Sequence, residues 1–590
     1  MPRNRARPRS FRSCLNCPMD LMRYLALASD YDNTLATDGR TPPAVLDVLR
    51  QLRQSGRKLI LVTGRELPDL LTVLPEIDLF DRVVAENGAL LYRPHDRSDT
   101  LLAEPFPEKF LQALRTRGVP VSAGRSILAT VQPHETAVLE CIREYGLELQ
   151  VIFNREAVMI LPSGTNKATG LQVALRELQL SPHNLVAIGD GENDHAFIEV
   201  CECAVAVSNA VPSLCERADF VTTAPAGAGV VQVAEALLRD DFTAAGARLR
   251  RHHLSLGVTP SGEPLLIPSY GQTLMVTGAS GAGKSSFATG FLEQLGRRNY
   301  QFCIVDPEGD YEHFEGVVSL GSPQAAPVIA DVVKLLENPS DNVAVNLLGV
   351  KLEDRPAVFR ELFSTLSTMR ARFGRPHWLV IDEAHLLPDT DVHTDSVPAE
   401  QHQGLILITV HPQRVSRTLL QRVNALVAIG ATPGDSVREF AAAAGLAVPM
   451  LASTDSQPAG EALAWLRGVR DEIVHFNYEQ PATERKRHRR KYAAGDLGAE
   501  QSFYFRGPAS KLNLRAQNLQ MFTHIAAGVD DETWLHHLRR GDYSRWFAEF
   551  IKDEDLVRAA RAIEQDEALS ASESRRRFGE EIEQRYTASA

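Results

Sequence analysis

Residues 24–35 read YLALASDYDNTL. An apolar run ends in two aspartates, Asp30 and Asp32, with one residue between them. Side chains two apart on an extended chain point the same way, so both carboxylates face one side. At the C-terminal end of a parallel strand, that side is the ligand crevice. One carboxylate can attack phosphorus and form an acyl phosphate. The other can protonate a leaving oxygen and then activate water. Two close carboxylates repel each other, which calls for a divalent cation between them.

The surrounding pattern supports a strand here. From about 22 to 240, short apolar runs alternate with amphipathic helices; the runs include KLILVTG, RVVAENGALLY, NLVAIGDG and CAVAVSNA. That rhythm predicts a parallel sheet covered on both faces. Residues 92–163 break it and read helix, strand, helix and two strands, a small inserted α+β unit. Three further pieces arrive in order. Thr63 offers a hydroxyl to phosphoryl oxygens, and Lys167 a positive charge for the transition state. GDGEND then supplies Asp190, Asn193 and Asp194, and Asp190 completes an oxygen shell for magnesium.

The stretches DYDNT, VTGR, AENGA, NKATGL, GDGENDHAFI and VAVSNAVPSL resemble the haloacid dehalogenase superfamily, in its Cof-type (IIB) branch of phosphatases. The resemblance covers about 22–240. It implies a Rossmann-like core, with 92–163 as the cap that selects the substrate. It implies Asp30 as nucleophile and Asp32 as general acid/base. Thr63, Gly64, Lys167 and Asn193 become phosphate binders, and Asp30, Asp32, Asp190 and Asp194 the magnesium-side carboxylates. So small a cap suits a sugar phosphate or a phosphoacid.

A second strand-then-loop signal stands at 275–287, MVTGASGAGKSSF. Gly278 to Ser285 fits GxxxxGK[ST] completely. Backbone amides of Gly278, Ala279, Ser280, Gly281, Ala282 and Gly283 can converge on nucleotide phosphates at a helix N-terminus. Lys284 should reach the β- and γ-phosphates, and Ser285, followed by Ser286, should ligate Mg²⁺. HWLVIDEAHLL places Asp382 and Glu383 after another apolar run. Asp382 would hold the magnesium's outer shell. Glu383 is the candidate to activate water, which favours ATP hydrolysis over phosphoryl transfer to a metabolite.

VDPEGDY at 305–311 and LITVHP at 407–412 follow in the order of the HerA/FtsK class of P-loop ATPases, which this unit resembles. One departure is Val410–His411–Pro412 where that class carries Gln after its sensor Thr, leaving Thr409 or His411 for the role. Arg414, Arg417 and Arg422 are candidates for an arginine finger. The resemblance also implies homo-oligomers, since this class hydrolyses ATP at subunit interfaces.

Bulk composition sets the frame. The 590 residues are 44% hydrophobic and 23% charged, with a net charge of -12, which argues against unspecific binding to polyanions. Seven scattered cysteines suit a reducing cytosol, so the expected location is cytoplasmic. No apolar run reaches the roughly 18 residues of a membrane span. Cys14 and Cys17 form a CxxC pair without a second pair. Residues 1–21 read as a disordered basic tail, with Met22 a candidate true start. RKRHRRK at 485–491 lies in a basic linker, 479–500. The remainder, 501–590, reads helical, with Trp534, Leu535, Leu538, Tyr543, Trp546 and Phe547 on its apolar face and His536, His537, Arg539 and Arg540 on an exposed polar one.

The sequence thus predicts an α/β chain: a capped phosphatase unit (22–240), a P-loop ATPase unit (253–478) and a helical C-terminal domain (501–590). The expected function is Mg²⁺-dependent hydrolysis of a small phosphorylated metabolite, with an ATP-binding module of regulatory or motor role. A nucleic-acid translocase with an accessory phosphatase and a bifunctional kinase/phosphatase are the alternatives.

Overall fold

A computed structural model describes residues 22–154, 156–243, 249–279, 281–386, 404–449, 460–468, 472–481, 497, 502–508, 511–551, 553–566 and 568–586. The N-terminal tail with Cys14 and Cys17, the run 485–491 and the loop residue Ser280 lie outside the described residues.

The first sheet takes its strands from the apolar runs. They are β1 (Ala26–Ser29), β2 (Lys58–Val62), β3 (Arg82–Ala85), β4 (Leu90–Arg93) and β5 (Ser98–Leu101). Four cap strands follow: β6 (Ser122–Ala123), β7 (Leu128–Val131), β8 (Leu149–Asn154) and β9 (Ala157–Pro162). The chain then returns to the first sheet as β10 (Leu185–Gly189), β11 (Cys203–Ala206) and β12 (Phe220–Val221). The first sheet runs β12-β11-β10-β1-β2-β3-β4-β5. It is parallel from β12 to β3, and β4 and β5 close its edge antiparallel. The expected insert at 92–163 therefore splits: β4 and β5 stay with the core sheet, and only the later residues build the separate antiparallel sheet β6-β7-β9-β8.

Both faces of the first sheet are buried, as period-2 alternation requires. Leu27, Leu59, Leu61, Val186 and Ile188 face one way, under the helices Pro43–Gln54 and Ala226–Asp240. Ala26, Ala28, Ile60, Ala187 and Ala204 face the other, in the layer that also buries Leu171, Ala174 and Leu175 of the helix Lys167–Glu177. Each fully buried aliphatic side chain contributes about 1.5–3 kcal/mol.

The second large sheet begins with the hairpin β13 (Leu254–Val258) and β14 (Pro264–Ile267), which leads into β15 (Thr273–Thr277) as expected. Then come β16 (Phe302–Asp306), β17 (Val317–Leu320), β18 (Asn342–Asn346), β19 (Trp378–Ile381), β20 (Leu405–Thr409), β21 (Ala425–Ile429), β22 (Glu461–Leu466) and β23 (Ile473–Asn477). The order is β14-β13-β23-β22-β21-β15-β20-β19-β16-β18-β17. β20 lies between β15 and β19, pairing with both in parallel.

Both sheets belong to one compact unit that ends at Tyr478. They meet at the starts of their strands. Asn184, just before β10, donates to the carbonyl of Gly374 (3.4 Å). Arg375, fully buried before β19, donates to the carbonyl of Gln179 (2.9 Å). The C-terminal ends of the two sets of strands, where ligands bind in such sheets, lie at the other end of each strand from this meeting point.

A second compact unit holds Glu479–Ala590 with Ser285–Gly290 and His313–Glu315. Its hairpin, β24 (Phe503–Phe505) and β25 (Leu514–Ala516), packs with helices that include Leu519–Gly528, Asp531–Arg539 and Ala571–Tyr586. Trp534, Leu538, Tyr543, Trp546 and Phe547 are buried, with Leu535 partly so, as the apolar-face reading expected. The polar-face reading is corrected at His537, which is buried. Its Nδ1 donates to Asp542 (2.8 Å) and its Nε2 accepts the backbone amide of Arg506 (3.0 Å), so it spends its polarity inside the fold.

Candidate active site

The register Ser29↔Leu61 and Ser29↔Ile188 puts the ends of β1, β2 and β10 side by side. Asp30, Thr63 and Asp190 follow directly from these ends. Lys167 opens the helix Lys167–Glu177, whose N-cap Asn166 forms a capping box with Thr169. Its ammonium lies 2.5 Å from Asp30 Oδ1 and 2.6 Å from Asp194 Oδ1. All three residues are buried.

Carboxylate oxygens of Asp30, Asp190 and Asp194 lie within 4.8 Å of one another. Thr34 donates its hydroxyl to Asp190 (3.1 Å), and Asp194 Oδ2 accepts the amides of Asp190 (2.8 Å) and Gly191 (2.9 Å). Burial pushes the Asp30 carboxyl well above its ordinary value; Lys167 opposes this, and Asp194 and Asp190 add to it. Burial alone would lower the Lys167 ammonium, but Asp194 and Asp30 outweigh it and hold it raised. Two of the three carboxylates thus share one buried ammonium, and the donor set of all three is hard oxygen. That fits a small divalent cation such as Mg²⁺.

Asp32 is not brought into this cluster. Its side chain is 40% exposed and takes a two-pronged bond from Arg65, Nε at 2.8 Å and Nη2 at 2.7 Å. Arg65 fixes the direction of that carboxylate, a role the sequence reading missed although VTGR carried the residue. Thr63 is fully buried, and its Oγ1 accepts the amide of Arg65 (3.1 Å). Asn193 donates to Asn87 Oδ1 (3.1 Å). A Cβ built on Gly64 would stand 3.6 Å from Asn193 Nδ2, so Gly64 and Asn193 line one wall.

The turn Glu86–Gly88, which the sequence reading quoted within AENGA without giving it a role, braces several of these parts. The Glu86 amide donates to the carbonyl of Arg65 and the Asn87 amide to that of Thr63, both at 3.0 Å. The buried Glu86 carboxylate accepts the cap amides of Arg125 (3.1 Å) and Ser126 (2.8 Å). Gly88 has φ +106, and a Cβ there would meet the Asn166 carbonyl at 1.9 Å. Only glycine lets the chain before Lys167 pass so close. The cap comes down on the crevice: Met159 reaches the Cβ position of Gly64 (3.0 Å), and Asn154 that of Gly191 (2.7 Å).

At the second sheet, the glycine-rich turn joins β15 to the helix Lys284–Arg297. Gly278 has φ +151, and a Cβ there would strike the Ile429 carbonyl at 2.0 Å. Lys284 is folded onto its own loop, donating to the carbonyl of Ala279 (2.9 Å). Burial lowers its pKa against the fields of Glu383, Asp382 and Glu308. Burial, with Glu383, Asp306 and Asp310, pushes Asp382 up to about 7. Glu383 holds φ +47, a left-handed conformation that costs energy at a non-glycine residue. Its Oε2 lies 3.1 Å from His385 Nδ1, which also faces Thr409 Oγ1 at 3.3 Å. Thr409 Oγ1 accepts the His411 amide (3.0 Å), so His385 joins both sensor candidates to Glu383. Of the finger candidates, Arg417 packs against Gly445, and Arg422 has a buried guanidinium nitrogen without a partner.

The first crevice, with buried carboxylates at the ends of parallel strands, has the form of an α/β hydrolase site. The profile of the haloacid dehalogenase-like hydrolases matches residues 27–117 and 139–233. Phosphoglycolate phosphatase 2 of Saccharolobus solfataricus is 33% identical over 228 residues, covering 37% of this chain and 94% of its own. The phosphoglycolate phosphatase of Methanothermobacter thermautotrophicus is 31% identical over 219 residues, covering 35% and 96%. A crystal structure of a haloacid dehalogenase-like hydrolase from Bacteroides thetaiotaomicron aligns with 36% of this chain and 99% of its own, at TM-score 0.33 and 18% identity. The chain belongs to the haloacid dehalogenase-like hydrolase family. Among the described residues, no helix is long and apolar enough to cross a membrane.

Proposed function

We propose that residues 22–240 form a phosphomonoesterase for a small phosphorylated acid or sugar, acting through an aspartyl phosphate. The observation that carries this reading is the buried constellation of Asp30, Lys167, Asp190 and Asp194. Asp30 attacks phosphorus, and its oxygen–phosphorus bond forms as the ester bond breaks. Asp32, aimed by Arg65, protonates the departing oxygen and then takes a proton from the water that cleaves the acyl phosphate. Thr63, the Gly64 amide and Asn193 bind phosphoryl oxygens, and Lys167 neutralises charge that grows on them. Asp30, Asp190 and Asp194 would hold Mg²⁺, which when bound screens their repulsion and the substrate's charge.

The relatives are phosphoglycolate phosphatases, and the close approach of Met159 and Asn154 leaves room for a compact leaving group. Phosphoglycolate is therefore the first substrate to try, ahead of sugar phosphates. Phosphate release from a panel of both, with Mg²⁺ and with EDTA, tests the reading. Turnover that persists in EDTA, or no turnover of any member, would sink it.

For residues 253–478 we infer an ATP-hydrolysing module. It is supported by the glycine-rich turn, by β20 inserted between β15 and β19, and by Asp382 with Glu383 at the end of β19. Lys284, Ser285 and Asp382 would handle the nucleotide and its magnesium, and Glu383 the water. ATP hydrolysis that survives Asp382→Asn undiminished would remove this module from the account. The helical residues 501–590 are assigned no chemistry.

A further inference from the structure

Glu202 belongs to neither crevice, and four side chains donate to its carboxylate. It is buried where the starts of the two sheets meet. Its Oε1 accepts from Arg23 Nη2 (2.6 Å) and Ser269 Oγ (2.8 Å). Its Oε2 accepts from His183 Nδ1 and the Tyr300 hydroxyl, both at 2.7 Å. His183 in turn donates from Nε2 to the carbonyl of Arg298 (2.7 Å) and stacks on Tyr300 at 3.7 Å between ring centroids. His183, Glu202 and His252 have metal-ligand spacing. With each carboxylate oxygen already taking two donors, the cluster is a hydrogen-bond junction and leaves no lone pair for an ion.

What meets at this junction is not random. Arg23 leads into β1, which ends at Asp30. His183 leads into β10, which ends at Asp190. Glu202 itself follows the helix His195–Val200, which begins next to Asp194. From the other sheet, Ser269 leads into β15 and its glycine-rich turn. Arg298 and Tyr300 follow the helix Lys284–Arg297, which starts at Lys284. Each element tied at Glu202 carries at its far end a residue of one crevice or the other. The connecting pieces are short and stiff: β10 has five residues, about 17 Å, and the Lys284 helix fourteen, about 21 Å.

We propose that Glu202 is a positioning residue shared by the two crevices, through which nucleotide at the glycine-rich loop changes the alignment of Asp190 and Asp194. The proposal rests on the readings of both sites given above. A lysine folded onto its own loop must leave Ala279 to meet a phosphate. Any shift of its helix is passed to Arg298 and Tyr300, and thus to His183 and Glu202. Buried polar networks with all partners satisfied resist partial rearrangement, so the response is expected to be stepwise.

The test uses the full chain with Mg²⁺ and a non-hydrolysable ATP analogue. Three quantities are measured: kcat and KM for phosphoglycolate with and without the analogue, the analogue's Kd, and that Kd again with inorganic phosphate saturating the first crevice. The wild type should show a change of about fivefold or more in substrate affinity, with phosphate changing the analogue's Kd by a matching factor, because coupling is reciprocal. Tyr300→Phe removes one hydroxyl from the junction. It should keep kcat without nucleotide and the analogue's Kd within about twofold, while the coupling factor falls toward one. Glu202→Gln should bring the coupling factor closer still to one. An analogue that binds but leaves the wild-type phosphatase unaltered would overturn the coupling alone. Absence of binding would overturn the nucleotide reading as well. Coupling that persists in Tyr300→Phe at its wild-type value would remove the junction as its route.

Discussion

The two crevices stand at the C-terminal ends of the parallel strands of two sheets, yet they hold their lysines differently. Lys167 is locked between two buried carboxylates, with every heavy-atom distance already short. Lys284 is folded back on the carbonyl of Ala279, while the acids opposite it, Asp382 and Glu383, are raised by burial, Asp382 further by the charge of Glu383. A site that keeps one substrate class can be preassembled, because its charges compensate within the protein. A site that must take up and release a whole nucleotide with its magnesium is expected to leave that compensation to the ligand. On the functions proposed above, the first crevice is built for steady turnover and the second for changing state.

The comparison breaks most sharply at Asp30. Asp30→Asn should lower phosphatase turnover by about 10³-fold or more while ATP hydrolysis stays within about twofold. Parallel steady-state assays on one preparation check this, and an equal loss of both activities would collapse the two sites into one. Lys284→Ala is the converse. It should reduce ATP hydrolysis by about 10²-fold or more, and phosphatase turnover measured without nucleotide should not change. A phosphatase that fails in this variant without nucleotide would mean the second crevice is needed for the first to fold.

A paired steric test sharpens the contrast further. Gly88→Ala places a methyl 1.9 Å from the Asn166 carbonyl, and Gly278→Ala one 2.0 Å from that of Ile429. Each should cost about 3 kcal/mol in stability, from strain and displaced backbone. The first should displace Lys167 and depress only the phosphatase; the second should reopen the glycine-rich turn and depress only nucleotide binding. Thermal unfolding with both assays reads the pair, and crossed effects would undo the division.

What the sequence made legible was whatever is local. Asp30, Asp190 and Lys167 stand next to strand ends and a capped helix start, so motif and periodicity found them together. The glycine-rich turn at 278–284 was equally visible. What escaped was decided by contacts between distant segments. Arg65 and Asp32 are 33 residues apart, and no local pattern says that Asp32 will be turned away from the other acids. Glu86 reaches cap amides about 40 residues on. The edge strand β5 was assigned to the insert because antiparallel edge strands break the βα rhythm while still belonging to the core sheet. His537 looked like a surface residue in a run of basic neighbours, and its burial depends on Asp542 and the backbone at Arg506.

The smallest expected effect lies at the junction between the sheets, and it has a pH signature. Burial would raise the Glu202 carboxyl, but the hydrogen bond and charge of His183, with Arg23 and His252, outweigh it and hold the pKa well below the ordinary 4.5. Tyr300 and Ser269 face it as neutral donors. A carboxylate whose pKa is depressed by folding stabilises the fold fully above its unfolded value and ceases to do so as pH falls through the folded one. Glu202→Gln keeps the shape but gives up the charge, and should cost about 1–2 kcal/mol near pH 7. The gap between wild type and variant should narrow steadily as pH is taken below 4.5, because the unfolded wild type then takes up a proton that the folded protein resists. Thermal midpoints at pH 7, 5 and 3.5 give the comparison. A gap that stays constant across that range would show that the charge of Glu202 does not hold the two sheets together, and would leave packing around Tyr300 and His377 as what does.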